Sequence, residues 1–303
     1  MSVLASPEAV RAAATSFTSV KGVAEVVAGY DGFLIDQWGV LHDGKRAYAG
    51  AVEALQRLGE AGKTVVILSN SGRRAAENED LLAAMGFDRS LYKAVMPAGD
   101  DARDAILNDP DPFYAGLGKR CLLMARDGED HLADGLGLEL VREVDDADFL
   151  LLLSMEPAYQ SVQGWNGLLR KAAARGLPMI CANPDFVRVS PEGKLLEAPG
   201  AVARVYETLG GAVRYHGKPH QRIYATCLKL LGLPAERVAA IGDSLDHDVA
   251  GARMAGLGSI FVAGGIHYKQ LHWTDGMPDP EDCARLFAET GLVPDFVVPS
   301  FRW

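Results

Sequence analysis

Long apolar runs are missing from this chain. Of its 303 residues, 49% are hydrophobic. The longest unbroken stretches, such as Phe149–Leu153, have only the length of a strand. None approaches the roughly 18–20 residues that a membrane span needs, so no membrane partner is expected. The N-terminus, Met-Ser-Val-Leu-Ala-Ser-Pro-Glu, has no basic start followed by an apolar stretch, and no secretory leader is expected. Cysteine is sparse: Cys121, Cys181, Cys227 and Cys283 lie far apart and form no C-x-x-C. That argues against a disulfide framework and against a zinc site, and it fits a reducing, cytoplasmic setting. Basic runs are absent too. The net charge is −10 and no Lys/Arg run exceeds a pair, which excludes nucleic acid as the expected partner. An acidic protein still binds a small phosphate when a cation neutralises its acidic site.

Several catalytic signatures are also missing. The first apolar run leads into Asp-Gln-Trp-Gly rather than G-x-G-x-x-G, and Gly116-Leu117-Gly118 lacks a third glycine, which disfavours a dinucleotide site. Gly39 to Lys45 has the spacing of a P-loop, but Arg46 stands where Ser or Thr is required. No G-x-S-x-G occurs, which disfavours a serine hydrolase. There is no internal repeat and no low-complexity stretch.

What the sequence does have is a series of short apolar runs, each ending on a polar residue. Gly32–Ile35 leads to Asp36, Val65–Leu68 to Ser69-Asn70, and Phe149–Leu153 to Ser154. Met179–Ala182 leads to Asn183, and Val238–Ile241 to Gly242-Asp243. Continuous rather than alternating apolarity predicts strands buried on both faces, as in a parallel sheet. Between the runs lie helical patterns at Ala51–Ala61, Ala75–Met85, Ser161–Arg175, Ala201–Leu209 and Gln221–Leu231, each followed by glycine. The turn-rich segment 109–118 reads as a loop, and 264–280 as irregular before a helix at Glu281–Thr290 and a strand near Pro294–Pro299. Alternating strand and helix predicts an α/β fold with a parallel, Rossmann-like sheet.

In such sheets ligands meet the carboxyl ends of the strands, so the terminating residues are site candidates. Asp36, Ser69, Lys218 and Asp243 supply a nucleophile, a hydroxyl, a cation and a second carboxylate. Two carboxylates at neighbouring strand ends repel, and a hard divalent cation such as Mg²⁺ relieves this through oxygen ligands. The metal also lets Asp36 approach an anionic phosphate. A carboxylate is a workable phosphoryl acceptor, because an aspartyl-phosphate divides one displacement into two easier ones. Ser69, Asn70 and Lys218 are placed to hold the phosphoryl oxygens. A response-regulator receiver uses similar groups, but it carries its acidic pair on the first strand and is far shorter.

Four segments carry a family resemblance: Phe33-Leu34-Ile35-Asp36-Gln37-Trp38-Gly39-Val40-Leu41, Ile67-Leu68-Ser69-Asn70-Ser71, Gly217-Lys218-Pro219, and Ile241-Gly242-Asp243-Ser244-Leu245-Asp246-His247-Asp248. Together with Cys181-Ala182-Asn183-Pro184-Asp185 they resemble the haloacid dehalogenase superfamily, subclass IIA, of NagD-like and 4-nitrophenylphosphatase-like hydrolases. The resemblance implies a Rossmann-like core at 1–87 and 209–303 and an inserted C2-type α/β cap at 88–208. It also implies a Mg²⁺-dependent phosphatase acting on a small phosphorylated metabolite. Asp36, Ser69 and Lys218 would be catalytic. Asp36, the Trp38 carbonyl, Asp243 and Asp248 would be around the metal, with Asp248 orienting metal-bound water or Lys218. Trp38, Gly39, Asn70, Ser71, Asn183 and Asp185 would meet substrate or phosphate. Oligomeric state stays open, with a homodimer through the cap as one option.

One position departs from the family. Its phosphatases carry a second Asp two residues after the nucleophile as the acid–base group, and here that residue is Trp38. An indole does no proton transfer, and such a loss costs about 10²–10⁴-fold in rate. Three outcomes follow: a substrate with a good leaving group, a substitute such as His42 or Asp43, or binding with little turnover. Trp38 reads equally as a hydrophobic plug or as a stacking platform. His216, His220 and His247 read as structural or supporting, and Phe301-Arg302-Trp303 as a docked tail.

Overall fold

The computed structural model describes residues 16–126, 130–155, 161–190 and 192–303, together with Ser6, Glu8 and Ala12. Most of residues 1–15, where no leader is expected, lie outside the described residues. In chain order the first strands are β1 Thr18–Ser19, β2 Gly32–Asp36, β3 Thr64–Ser69 and β4 Ala94–Pro97. They are followed by β5 Arg120–Met124, β6 Glu139–Val141, β7 Phe149–Leu152 and β8 Met179–Cys181. An antiparallel hairpin, β9 Val187–Val189 with β10 Leu195–Glu197, precedes β11 Val213–Tyr215, β12 Val238–Gly242 and β13 Gly258–Val262. A small pair, β14 Trp273–Thr274 and β15 Met277–Pro278, comes before β16 Phe296–Val298.

Five of the helices overlap the glycine-terminated patterns and one the helix expected at 281–290, whereas those at 98–108, 112–115 and 250–255 lie outside the expected patterns. The helices are α1 Ala51–Glu60, α2 Ala75–Ala84, α3 Ala98–Asn108, α4 Pro112–Ala115 and α5 Asn166–Ala174. Then come α6 Pro199–Thr208, α7 Gln221–Leu231, α8 Ala250–Ala255 and α9 Pro280–Thr290. Segment 109–118 is not wholly loop, because α4 lies within it. Pro112 takes the first turn and the Asp111 carboxylate accepts from the Phe113 N–H, a capping pair strong enough to start a turn.

Two parallel sheets result. One has seven strands in the order β1-β16-β13-β12-β2-β3-β4, the other five in the order β11-β8-β7-β5-β6. The apolar runs are continuous because alternate residues serve two cores. On β2, Phe33 and Ile35 pack with Val65, Ile67, Ala239 and Ile241 beneath α1. Leu34 faces the other way, toward Val66, Ala240 and the α7 residues Ile223, Tyr224 and Cys227. The five-stranded sheet repeats the scheme. Leu150, Leu152 and Met179 pack under Leu169 and Tyr206, while Phe149, Leu151 and Ile180 pack against Ala102.

The exchange between sheets is displaced from the expected 87/88 and 208/209. β4 lies within the expected insertion yet pairs with β3 of the seven-stranded sheet, and β11 lies beyond it yet pairs with β8 of the five-stranded one. The chain therefore changes sheets after Pro97 and again after Tyr215. The reason is that both crossing strands are short, four residues in β4 and three in β11, so neither carries a long apolar run.

Candidate active site between two strand-end edges

Both sheets turn their carboxyl ends toward one cavity of about 290 Å³. From the seven-stranded sheet come Asp36 at the end of β2, Ser69 at the end of β3 and Asp243 just after β12. From the five-stranded sheet come Arg126, Ser154 and Asn183, each two residues beyond β5, β7 and β8.

The acidic end is buried. Asp36, Asp243 and Asp248 each offer a carboxylate oxygen, all within 4.8 Å of one another. The Lys218 ammonium lies between two of them, donating to Asp36 Oδ1 at 2.5 Å and to Asp248 Oδ1 at 2.8 Å. Burial pushes the Asp36 carboxyl up to about 7 against the pull of Lys218, with Asp248 adding to the rise. Burial likewise raises Asp243 well above the usual carboxylate range, helped by Asp36 and Asp248. Burial alone would lower Lys218, but Asp248 and Asp36 outweigh it and hold the ammonium charged.

Local backbone sets each group. Asp248 sits in one wide turn, Leu245–Val249, where its Oδ2 accepts the Ser244 N–H. Asp243 is wedged where glycine leaves room: a Cβ on Gly39 would fall 2.1 Å from its Oδ2, and one on Gly265 1.9 Å. Gly39 has φ +87°, which also excludes most side chains. The Ile266 N–H donates to the same oxygen. Lys218 is held by its main chain, since Asn70 Oδ1 accepts its N–H at 2.7 Å and Asn70 Nδ2 donates to its carbonyl.

The raised Asp36 and Asp243 carboxyls show that three ionised carboxylates crowd here against a single ammonium, a repulsion that a cation among these hard oxygen donors would relieve. This set fits a divalent cation of the Mg²⁺ or Ca²⁺ type.

Of the sequence-derived residues, Asp36, Trp38, Ser69, Asn70, Ser71, Asn183, Asp185, Lys218, Asp243 and Asp248 all line the cavity. Gly39 does not; its part is to admit Asp243. Asp185 is tied to both sides, accepting from Asn70 Nδ2 at 2.8 Å and lying 3.2 Å from His247 Nδ1. His247 thus lines the cavity directly, beyond the supporting place its sequence position suggested. His216 is structural: it is buried between Asp101 at Nδ1 and the Tyr114 hydroxyl at Nε2.

The two candidate substitutes for an acid–base group differ: His42 lines the cavity and Asp43 does not. Asp43 caps the N–H groups of Lys45 and Arg46 and stands off the cavity wall. His42 accepts the Gly44 N–H at Nδ1, and burial holds its pKa down to about 4. Trp38 is a clamp. Its indole N–H donates to the Val189 carbonyl of β9 at 2.8 Å, with the Arg188 guanidinium over its ring at 5.5 Å. Arg73, Arg126 and Arg188 also line the cavity, and sequence reading missed all three.

The fold and the site define a parallel α/β enzyme whose strand ends carry a carboxylate cluster able to hold a cation. The chain belongs to the haloacid dehalogenase-like hydrolases, a family matched over residues 88–256, with related haloacid dehalogenase-like matches at 33–139 and 215–302. It is 28% identical to the sugar-phosphatase AraL of Bacillus subtilis over 276 residues, 86% of this chain and 94% of that protein. A haloacid dehalogenase-like hydrolase from Brucella suis superposes with TM-score 0.78 at 28% identity, over 93% of this chain and 99% of the other. The glycerol phosphate phosphatase Rv1692 of Mycobacterium tuberculosis, solved with magnesium, gives TM-score 0.60 at 25% identity, over 79% of this chain and 69% of the other.

Proposed function

We propose that this hydrolase is a Mg²⁺-dependent phosphatase that acts on a small phosphorylated metabolite with Asp36 as nucleophile. The observation that carries this reading is the Lys218 ammonium bridging Asp36 and Asp248 inside a buried carboxylate trio. The sugar- and glycerol-phosphate phosphatases among its relatives support the substrate class. Asp36, Asp243, Asp248 and the main-chain carbonyl of Trp38 would hold the cation. Its chemistry there is to neutralise charge between carboxylate and phosphoryl group.

The chain's own groups supply the rest. A carboxylate oxygen of Asp36 forms the bond to phosphorus while the bond from phosphorus to the leaving oxygen breaks, and that oxygen takes the electron pair. Lys218, Ser69 and Asn70 hold the phosphoryl oxygens where charge grows. Water then attacks phosphorus and the Asp36–phosphorus bond breaks, giving inorganic phosphate and free Asp36. Asn183 and Asp185 face the remainder of the substrate, and closure of the five-stranded cap over the site excludes bulk water. With Trp38 in place of a proton donor, turnover favours leaving groups stable without a proton, such as acyl or aryl oxygens.

Assays of p-nitrophenyl phosphate, acetyl phosphate and an alkyl phosphate with Mg²⁺ test this. The expected order is acetyl and aryl well above alkyl, with turnover lost in Asp36→Asn. The second reading, a phosphate-binding protein without turnover, is favoured by the neutral His42 and the clamped Trp38. It is the correct one if no probe is turned over in an Asp36-dependent way while phosphate still raises the melting temperature.

A further inference from the structure

Asp101 is a buried carboxylate that stands off the cavity and has no part in the chemistry above. It lies in the first turn of α3, just after the chain leaves the seven-stranded sheet at Pro97. Its Oδ2 faces the point where the chain comes back. His216 Nδ1 donates to this oxygen at 2.9 Å, and the Gly217 N–H at 3.3 Å. His216 is itself buried, with Nε2 at 3.0 Å from the Tyr114 hydroxyl of α4. On the other side of Asp101, Arg222 Nε lies 3.2 Å from Oδ1. The same guanidinium reaches Asp104 and, at 2.8 Å, Asp109.

Between His216 and Arg222 the chain carries Lys218. The passage is narrow: Gly217 has φ +96°, and a Cβ on it would fall 2.5 Å from Asn70 Oδ1 and 2.7 Å from Ala98 Cβ. Gly217 and Lys218 thus run between the Asn70 amide, which holds the Lys218 main chain, and the start of α3. Burying a carboxylate is costly unless its oxygens are hydrogen-bonded, and an apolar residue would fill such a contact without that cost. Here one oxygen goes to the two residues that precede Lys218. Lys218 in turn reaches Asp36 at 2.5 Å and Asp248 at 2.8 Å. A misplacement of about 1 Å at such contacts costs about 10²-fold in rate.

We propose that Asp101 is a positioning residue for Lys218. By holding His216 and Gly217 against α3, it ties the two chain crossings together and sets where the ammonium stands between Asp36 and Asp248. This rests on the phosphatase reading for the reaction that Lys218 serves. Affinity for inorganic phosphate in Mg²⁺, measured by calorimetry, reads the ammonium without turnover.

Asp101→Ala and Asp101→Asn are compared in the native background and with Lys218→Met. On p-nitrophenyl phosphate, Asp101→Ala is expected to lower kcat by about tenfold or more and to change KM little. Asp101→Asn keeps an acceptor for the Gly217 N–H while losing the ion pair with Arg222, and is expected to keep most of the native kcat. With Lys218→Met in place, Asp101→Ala is expected to lower kcat no further, because the group it positions is gone. Tyr206→Phe removes a buried hydrogen bond to the Leu177 carbonyl in the core of the five-stranded sheet. It is expected to lower the melting temperature and leave kcat unchanged. Where Asp101→Ala does not fold, His216→Phe fills the same space without the two ring hydrogen bonds and carries the same test.

Native kcat in Asp101→Ala, an equal fold-loss with and without Lys218, or an equal kcat loss in Tyr206→Phe overturns the proposal and leaves the phosphatase reading in place. The reverse outcome is a native protein with no Asp36-dependent turnover of p-nitrophenyl phosphate or acetyl phosphate, whose phosphate affinity falls in Asp101→Ala only when Lys218 is present. That result keeps the positioning role and removes the phosphatase reading.

Discussion

The seven-stranded and five-stranded sheets are built alike, from apolar strands buried on both faces between helices, and they aim the same edge at one cavity. The residues that follow their strands differ. After β2 and β12 come Asp36 and Asp243; after β5 and β7 come Arg126 and Ser154. The contrast separates what a fold supplies from what a site supplies. A parallel sheet determines where ligand-facing residues stand, and the side chains placed there determine which charge they offer. The acidic edge needs a cation before it can receive an anion.

The comparison breaks most visibly at Lys218, the one cation set within the carboxylate trio. Lys218→Met removes a donor to the growing phosphoryl charge, for which a loss of about 10²–10³-fold in kcat is expected. It also leaves Asp36 and Asp248 buried without their partner. Breaking a buried pair in this way costs about 3–5 kcal/mol. Steady-state kinetics on p-nitrophenyl phosphate and urea unfolding with and without Mg²⁺ check both effects. Mg²⁺ should restore part of the stability and little of the activity. Native kcat in this variant would mean that the acidic edge is not the reacting one.

A smaller effect sharpens how dry the acidic edge is. His42 is buried on the turn after β2 and its pKa is held from the ordinary 6.5 down to about 4 by burial. The folded protein thus keeps this ring neutral where the unfolded chain protonates it. Its contribution is complete above about pH 6.5, is lost as pH falls from there toward 4, and changes no further below. At about 1.4 kcal/mol per pH unit, the full loss is on the order of 3 kcal/mol. His42→Asn keeps an acceptor for the Gly44 N–H but cannot titrate. Unfolding free energies at pH 7, 5.5 and 4.5 should converge for the two proteins as pH falls, and parallel curves would show that His42 is not shielded.

The acidic edge was legible in the sequence because each of its groups ends an apolar run or sits in a recognisable motif. Asp36, Ser69 and Asp243 follow β2, β3 and β12, and all line the cavity. The basic edge was only half legible. Ser154 could be found by the same strand-end rule, since it closes Phe149–Leu153. Arg126 follows β5, whose apolar run Cys121–Met124 ends on Ala125 rather than on a polar residue, and β4 and β11 were passed over because they are short. Arg188 gave no local signal at all: it lies on a short, partly exposed hairpin that docks through β9 on Trp38. Trp38 was visible as a departure from the family, but its partner lies 151 residues away in the chain. No periodicity reports a contact of that range.

Trp38 joins the two edges, so the smallest predicted effect separates them best. Trp38→Phe keeps a ring beneath Arg188 and removes the N–H donated to the Val189 carbonyl. One part-buried hydrogen bond contributes about 1 kcal/mol, or roughly fivefold. A clamp between sheets acts before the ligand's tail is read, so kcat/KM should fall by that factor for phenyl phosphate and 4-carboxyphenyl phosphate alike. A Trp38→Phe protein whose loss is confined to the carboxylated substrate would place the indole against the ligand's tail, with no separate role in holding the hairpin.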